Sequence, residues 1–113
     1  LIWGPIAEGM MNWKKATAYC DGLTELGKNK KEWRLPKKEE FRVAFNPNNS
    51  DNSERPFNKA LLEALPDMKD RGSWSSSPVP GYSDHAYAFL GWYGYVDYDY
   101  VAYDNGSVRC VSR

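Results

Sequence analysis

This chain is poor in the residues that usually carry chemistry: two cysteines and a single histidine among 113 residues. One His cannot build a His-based metal cluster, and no Cys-x-x-Cys pair offers zinc ligands at a useful spacing. A Ser/His/Asp hydrolase needs its nucleophile in a recognisable turn, which Gly72-Ser73-Trp74 is not. Asp97 and Asp99 sit as neighbours on one strand, with no second wall in sight, so they do not read as the opposed carboxylates of a glycosidase. No enzyme, cofactor or metal is therefore expected. Net charge is also missing: the formal sum at pH 7 is zero, which removes bulk attraction to nucleic acid or to an anionic membrane. No stretch approaches the roughly 18–20 apolar residues that cross a bilayer, so no membrane insertion is expected. No signal peptide is visible. The chain opens in mid-pattern, however, at Leu1-Ile2-Trp3, which reads as a short strand entering the core, broken by Gly4-Pro5. The chain reads as the C-terminal fragment of a larger protein, and a missing leader then says little.

Rings, by contrast, are abundant: five Trp, eight Tyr and four Phe. Tyr and Trp serve cores and binding surfaces alike, so their number alone does not choose. The length fits one domain, residues 1–113, able to bury a core without a metal. Lys28, Lys30, Lys31, Arg34, Lys37 and Lys38 form a basic run opposed only by Glu32. It could meet a sulfated or phosphorylated partner; the plainer reading is a solvated face.

Local patterns place helices early and strands late. Asn12 is a good N-cap, and Ala16, Tyr19, Cys20, Leu23 and Leu26 line one helical face, with Gly27 as its stop. Trp33-Arg34-Leu35-Pro36 is extended, because a residue before proline avoids the helical region. A second helix is expected from Lys37 to Phe45, with Phe41, Ala44 and Phe45 as its apolar stripe. A polar loop over residues 46–54 follows; with Asp51 and Glu54 as its only charged donors it is a weak calcium candidate and reads as plain surface. A third helix should carry Phe57, Ala60, Leu61 and Ala64 inward. Strands are expected at 72–77, 85–91 and 95–101, and Asn105-Gly106 signals a hairpin that returns 107–111 as the last strand. Helices in the first 65 residues and an antiparallel sheet in the remainder make an α+β fold. Cys20 then falls on the first helix and Cys110 on the last strand. Two readings stand: a disulfide closing a long loop, which persists mainly in oxidising compartments, or two buried thiols packing as small hydrophobes.

Several strings resemble the Lcl C-terminal domain family: Met11-Asn12-Trp13-Lys14-Lys15-Ala16 through Ala18-Tyr19-Cys20, Trp33-Arg34-Leu35-Pro36 with Lys37-Lys38-Glu39-Glu40-Phe41, Trp74-Ser75-Ser76-Ser77, and Val108-Arg109-Cys110-Val111. Their order and spacing fit essentially the whole chain. The resemblance implies a C-type-lectin-like fold in which Cys20 and Cys110 pair. It also implies an exported bacterial surface protein, as in collagen-like adhesins, some of which bind polysaccharides or host surfaces. Lys37 departs from the family, where Thr usually caps the second helix. The calcium-and-sugar motif of familiar C-type lectins is absent.

The ligand-binding candidates cluster late in the chain. Nine rings fall between Tyr82 and Tyr103. Sugars present apolar C–H patches rimmed by hydroxyls; rings stack on the patches while carboxylates accept from the hydroxyls. Tyr82, Asp84, His85, Trp92, Tyr93, Tyr95, Asp97, Tyr98, Asp99 and Tyr100 offer that mixture. Alternation along the strand puts Val96, Tyr98 and Tyr100 on one face and Tyr95, Asp97, Asp99 and Val101 on the other. Trp92 and Tyr93, between Gly91 and Gly94, should be exposed at a hairpin turn. The competing reading makes these rings core and cross-strand pairs. Trp3, Trp13, Trp33 and Trp74 are assigned to the core, and His85, taken alone, to a surface or turn. The expected function is adhesion to a glycan or cell-surface ligand at the cell surface or a fibre tip, with a homotrimer compatible with the collagen-like relatives. Two other classes stay open: a structural trimerising cap, and a relative of the formylglycine-generating oxidase, whose copper site needs a free cysteine pair.

Overall fold

The first strand pairs with the last. In the computed structural model, which describes residues 1–23 and 32–113, β1 (Ile2–Ile6) runs antiparallel to β5 (Arg109–Ser112), with Ile2 opposite Ser112 and Trp3 opposite Val111. Between them lie α1 (Trp13–Asp21), α2 (Lys38–Val43), α3 (Lys59–Ala64), a 3-10 turn at Pro66–Met68, and a meander of β2 (Gly72–Val79), β3 (Tyr82–Leu90) and β4 (Tyr95–Tyr100). The fold is mixed helix and antiparallel sheet, but not in the expected order. A helical turn follows residue 65, and the strands among the described residues form two sheets rather than one; β1 bears out the short strand expected at Leu1-Ile2-Trp3 and runs on through Gly4-Pro5.

Two clusters of buried side chains lie on opposite faces of the meander. Alternation along β3 sends Ala86 and Ala88 one way and Phe89 the other. The first pair joins Ala16, Cys20, Trp33, Leu35, Trp74, Val108 and Cys110; Phe89 joins Phe41, Leu61, Met68 and Val96. Trp33 and Trp74 are buried as expected, whereas Trp3 and Trp13 are half-buried at the cluster margins. Cys20 and Cys110 form a disulfide across 90 residues, pinning α1 to β5.

The helices are shorter than their patterns suggested. Asn12 caps α1 by accepting from the Lys15 amide at 2.9 Å, but Gly22 ends the helix. The proposed stop at Gly27, the inward Leu26 and the lysines at 28, 30 and 31 lie outside the described residues. Tyr19 points outward. In α2, Lys37 has no side-chain acceptor for an N-cap. Glu40 fills the gap by accepting from the Lys37 amide at 2.7 Å and gripping Arg34 through both carboxylate oxygens at 2.7 and 2.8 Å. Arg34 lowers the Glu40 carboxyl below its ordinary value, chiefly through that hydrogen bond. Phe45 leaves the apolar stripe: it is half exposed with φ at 61°. Phe57 and Ala64 are likewise exposed, so α3 buries Leu61 alone.

The expected Asn-Gly hairpin does not form. β5 pairs with β1, while Gly106 bridges Met11 and Ser107 bridges Ser73. Gly106 is required for another reason: a Cβ there would collide with the Trp74 indole, whose Nε1 donates to the Met11 carbonyl at 2.9 Å.

Candidate functional site

The ring-rich ribbon between Tyr82 and Tyr103 divides into two clusters. Cross-strand register sets the division: His85 faces Tyr100, and Tyr87 faces Tyr98, at the open end of the β3–β4 pair, while Leu90 faces Tyr95 beside the turn. Five residues of strand, about 17 Å, separate the ends.

At the open end, His85 is not a turn residue. It sits in β3, its side chain only 14% exposed, enclosed by the rings of Tyr82, Tyr98 and Tyr100 at centroid distances of 6.0, 5.2 and 4.3 Å. Asp84 bonds its Nδ1 at 2.8 Å. The tyrosines themselves face solvent: Tyr82, Tyr98, Tyr100 and the adjoining Tyr103 are 46–62% exposed. Tyr98 and Tyr100 share parity with Val96, as alternation requires, but stand in solvent where Val96 is buried. His85 thus props a shelf of rings from below.

At the turn end, Trp92 and Tyr93 project from the β3–β4 connection, 53% and 56% exposed. Tyr93 stacks on Tyr95 at 5.4 Å. Arg55, which spacing alone did not single out, lies over the Tyr95 ring at 5.9 Å and pairs with Asp97 at 3.2 Å. Asp97 and Asp99 occupy the opposite face of β4 from Tyr98 and Tyr100, so one ligand cannot use all four together.

The face carrying Asp99 opens into a cleft of about 200 Å³, lined by Met10, Asp70, Arg71, Gly72, Trp74, Ala88, Leu90, Trp92, Asp99, Asn105 and Gly106. Its floor is apolar and its rim polar. Of these, only Trp92 and Asp99 were candidates from the sequence. The others come from four separate segments joined by the fold, and no local spacing announces them. A second, wider depression of about 560 Å³ runs between α1 and Val101-Ala102. Asn12 and Thr17 are engaged within α1, with the Lys15 amide and the Trp13 carbonyl; Lys14 and Asp21 also line it, and its surface is mainly apolar.

The polar loop after α2 is tied down by its own side chains. Asp51 accepts from the Ser53 and Phe57 amides at 3.0 and 2.9 Å, and these backbone bonds hold its carboxyl below the ordinary range. Among the described residues, no helix is long and apolar enough to cross a membrane.

The strings shared with the family now have structural jobs. Arg34 of the Trp33–Pro36 string clamps Glu40 of the next. Arg109 is buried, donating to the Gly4 carbonyl at 2.8 Å and to both Asp67 carboxylate oxygens at 2.6 Å. Comparison with curated proteins and with solved structures finds no match. The profile of the Lcl C-terminal domain matches residues 1–112, and the chain therefore belongs to the Lcl C-terminal domain family.

Proposed function

We propose that this domain is a non-catalytic recognition module of an exported bacterial surface protein, built on a C-type-lectin-like scaffold and binding glycans or cell-surface ligands. One observation carries the reading: six aromatic side chains, Tyr82, Trp92, Tyr93, Tyr98, Tyr100 and Tyr103, stand out from two rigid strands and their connections at 46–62% exposure, beside a well-filled interior. Large rings held in water by a stiff frame suit stacking on sugar C–H faces, because little conformational freedom is lost when a ligand lands. The disulfide is compatible with an oxidising compartment. It also commits both sulfurs, which weighs against an oxidase that needs a free thiol pair.

A glycan array probed with the intact domain, with and without chelator, tests the reading. Retention on a subset of glycans, lost in Trp92→Ala/Tyr93→Ala or in Tyr98→Ala/Tyr100→Ala with melting unchanged, supports it. A stable trimer by light scattering that retains no array member refutes it in favour of a fibre cap.

A further inference from the structure

The cleft beside Trp92 has a chemistry that the exposed rings alone do not specify. Gly72 is part of its lining. The Trp92 indole leans over this residue, and a Cβ there would stand 3.4 Å from indole Cη2 and 3.5 Å from Leu90 Cδ2. Both are ordinary contact distances, so the indole stands over the strand with room for a methyl group beneath it. Trp74 and Ala88, paired across β2 and β3, continue the apolar floor, and the Trp74 indole is locked by its bond to the Met11 carbonyl. The floor is thus fixed by backbone and packing, while Trp92, 53% exposed, forms the outer wall.

The rim sets the ligand's sign. Two carboxylates, Asp70 and Asp99, one guanidinium, Arg71, and the Asn105 amide line the cleft. Asp99 uses Oδ1 to accept from the Tyr100 amide at 2.8 Å, so Oδ2 remains for a hydroxyl or ammonium donor. Arg71 already reaches the Ser107 hydroxyl at 3.4 Å. An anionic ligand would meet two like charges in a partly enclosed space, where repulsion is screened less than in bulk water. At about 200 Å³ the cleft is smaller than the roughly 300–1,000 Å³ that enclose drug-sized ligands. It holds one ring and leaves the rest of a chain outside.

We infer that this cleft is a subsite for a single neutral or amino-bearing pyranose, most simply the terminal residue of a glycan, and that it rejects uronic and sulfated sugars. The inference rests on the recognition reading above and deepens it. The apolar face of the sugar lies along Trp92 and the floor; its hydroxyls or ammonium donate to Asp99, Asp70 and the Asn105 carbonyl oxygen.

Amide-resolved NMR titration of the intact domain tests this, using the methyl glycosides of glucose, galactose and N-acetylglucosamine, then glucosamine, glucuronic acid and glucose 6-sulfate. The neutral and amino sugars should shift the amides of Gly72, Ala88 and Gly106 and the Trp92 indole N–H, and the two anionic sugars should not. Trp92→Ala should weaken that binding by roughly five- to tenfold, the loss of about 1 kcal/mol of ring contact. Asp99→Asn keeps an acceptor for the Tyr100 amide and should admit glucuronic acid; because Asp99 is only half-buried, this variant keeps the test usable should Trp92→Ala fold poorly. Equal shifts from anionic and neutral sugars in the wild type would overturn the inference. So would sugar-induced shifts confined to Tyr82, Tyr98 and Tyr100, an outcome that leaves the recognition reading standing. If no sugar shifts any amide and the array is blank as well, both fall.

Discussion

The Asp99 carboxylate accepts a hydrogen bond from the amide of its own neighbour, Tyr100, at 2.8 Å, and Asp97 does the same for Tyr98 at 2.9 Å. The Val101 amide donates inward to Asp84, so by alternation the amides of Tyr98 and Tyr100 point away from β3. β4 is the outer strand of its sheet, and unpaired amides along such an edge invite another strand. The two aspartates cover those donors and add like charge. Replacing both with Ala leaves a Tyr- and Val-rich edge without charge, and we expect concentration-dependent self-association through β4, read by sedimentation velocity. Replacement with Asn retains the acceptors and should leave the sedimentation close to that of the wild type. Identical sedimentation of the double Ala variant and the wild type would disprove this role. Loss of the Arg55 pair in the same variant is a minor effect, since an exposed pair of this kind is worth about 0–1 kcal/mol.

Asn58 is a structural hub hidden in an unremarkable stretch. Fully buried, it donates to the carbonyls of Phe41 and Ala44 at 2.8 and 3.0 Å and accepts from the Leu61 amide at 3.2 Å. Asn58→Ala orphans two buried carbonyls and one helix-start amide, and should lower stability by about 2–4 kcal/mol. Urea denaturation followed by Trp fluorescence measures this; a change below about 0.5 kcal/mol would contradict the assignment.

The Arg34–Glu40 pair makes stability depend on pH. Because the folded carboxyl titrates below its ordinary value of 4.5, the unfolded chain binds the proton more readily. The pair's contribution is complete above that ordinary value and fades as pH falls through the lower folded one. Glu40→Gln should therefore melt below the wild type at pH 7, with the gap narrowing at pH 3. About 1 kcal/mol at neutral pH is expected for a half-exposed clamp of this kind. A gap that stays constant with pH would locate the effect elsewhere.

Reduction of the Cys20–Cys110 bond releases a loop of 90 residues. In the chain-entropy account the loss is about 4–5 kcal/mol, a large share of the stability of a small domain. Cys20→Ala/Cys110→Ala should melt well below the wild type, and the native protein should show no free thiol to an aromatic disulfide reagent unless reduced. Stoichiometric reaction without reductant would be the contrary result.

What the chain made legible was local. Asn12 announced its cap, Leu35-Pro36 its extended backbone, and the Tyr/Asp alternation of 95–100 its two faces, because each depends on neighbours a few residues away. The misreadings share one cause: which partner a segment meets. Asn105-Gly106 carries a strong hairpin signal, yet the following strand pairs with β1, and the glycine is needed for Trp74. Phe45 fits a helical stripe, but α2 ends at Val43 and its ring turns toward Trp3 at 6.2 Å. The cleft draws on residues as distant as Met10 and Asn105, a juxtaposition that no periodicity encodes. His85 looked like a surface residue because nothing in its vicinity along the chain reveals that Tyr98 and Tyr100 will close over it.

The covalent link between α1 and β5 also decides how the domain bears a mechanical load. A pull applied at its two ends travels along the first twenty residues, crosses the sulfur–sulfur bond, and leaves through the last few beyond Cys110. The chain between the two cysteines is bypassed, including both ring clusters and all of the cleft lining except Met10. Tension can peel β1 from β5, yet the backbone of the meander that presents the aromatic surface stays outside the covalent load path until that bond is reduced.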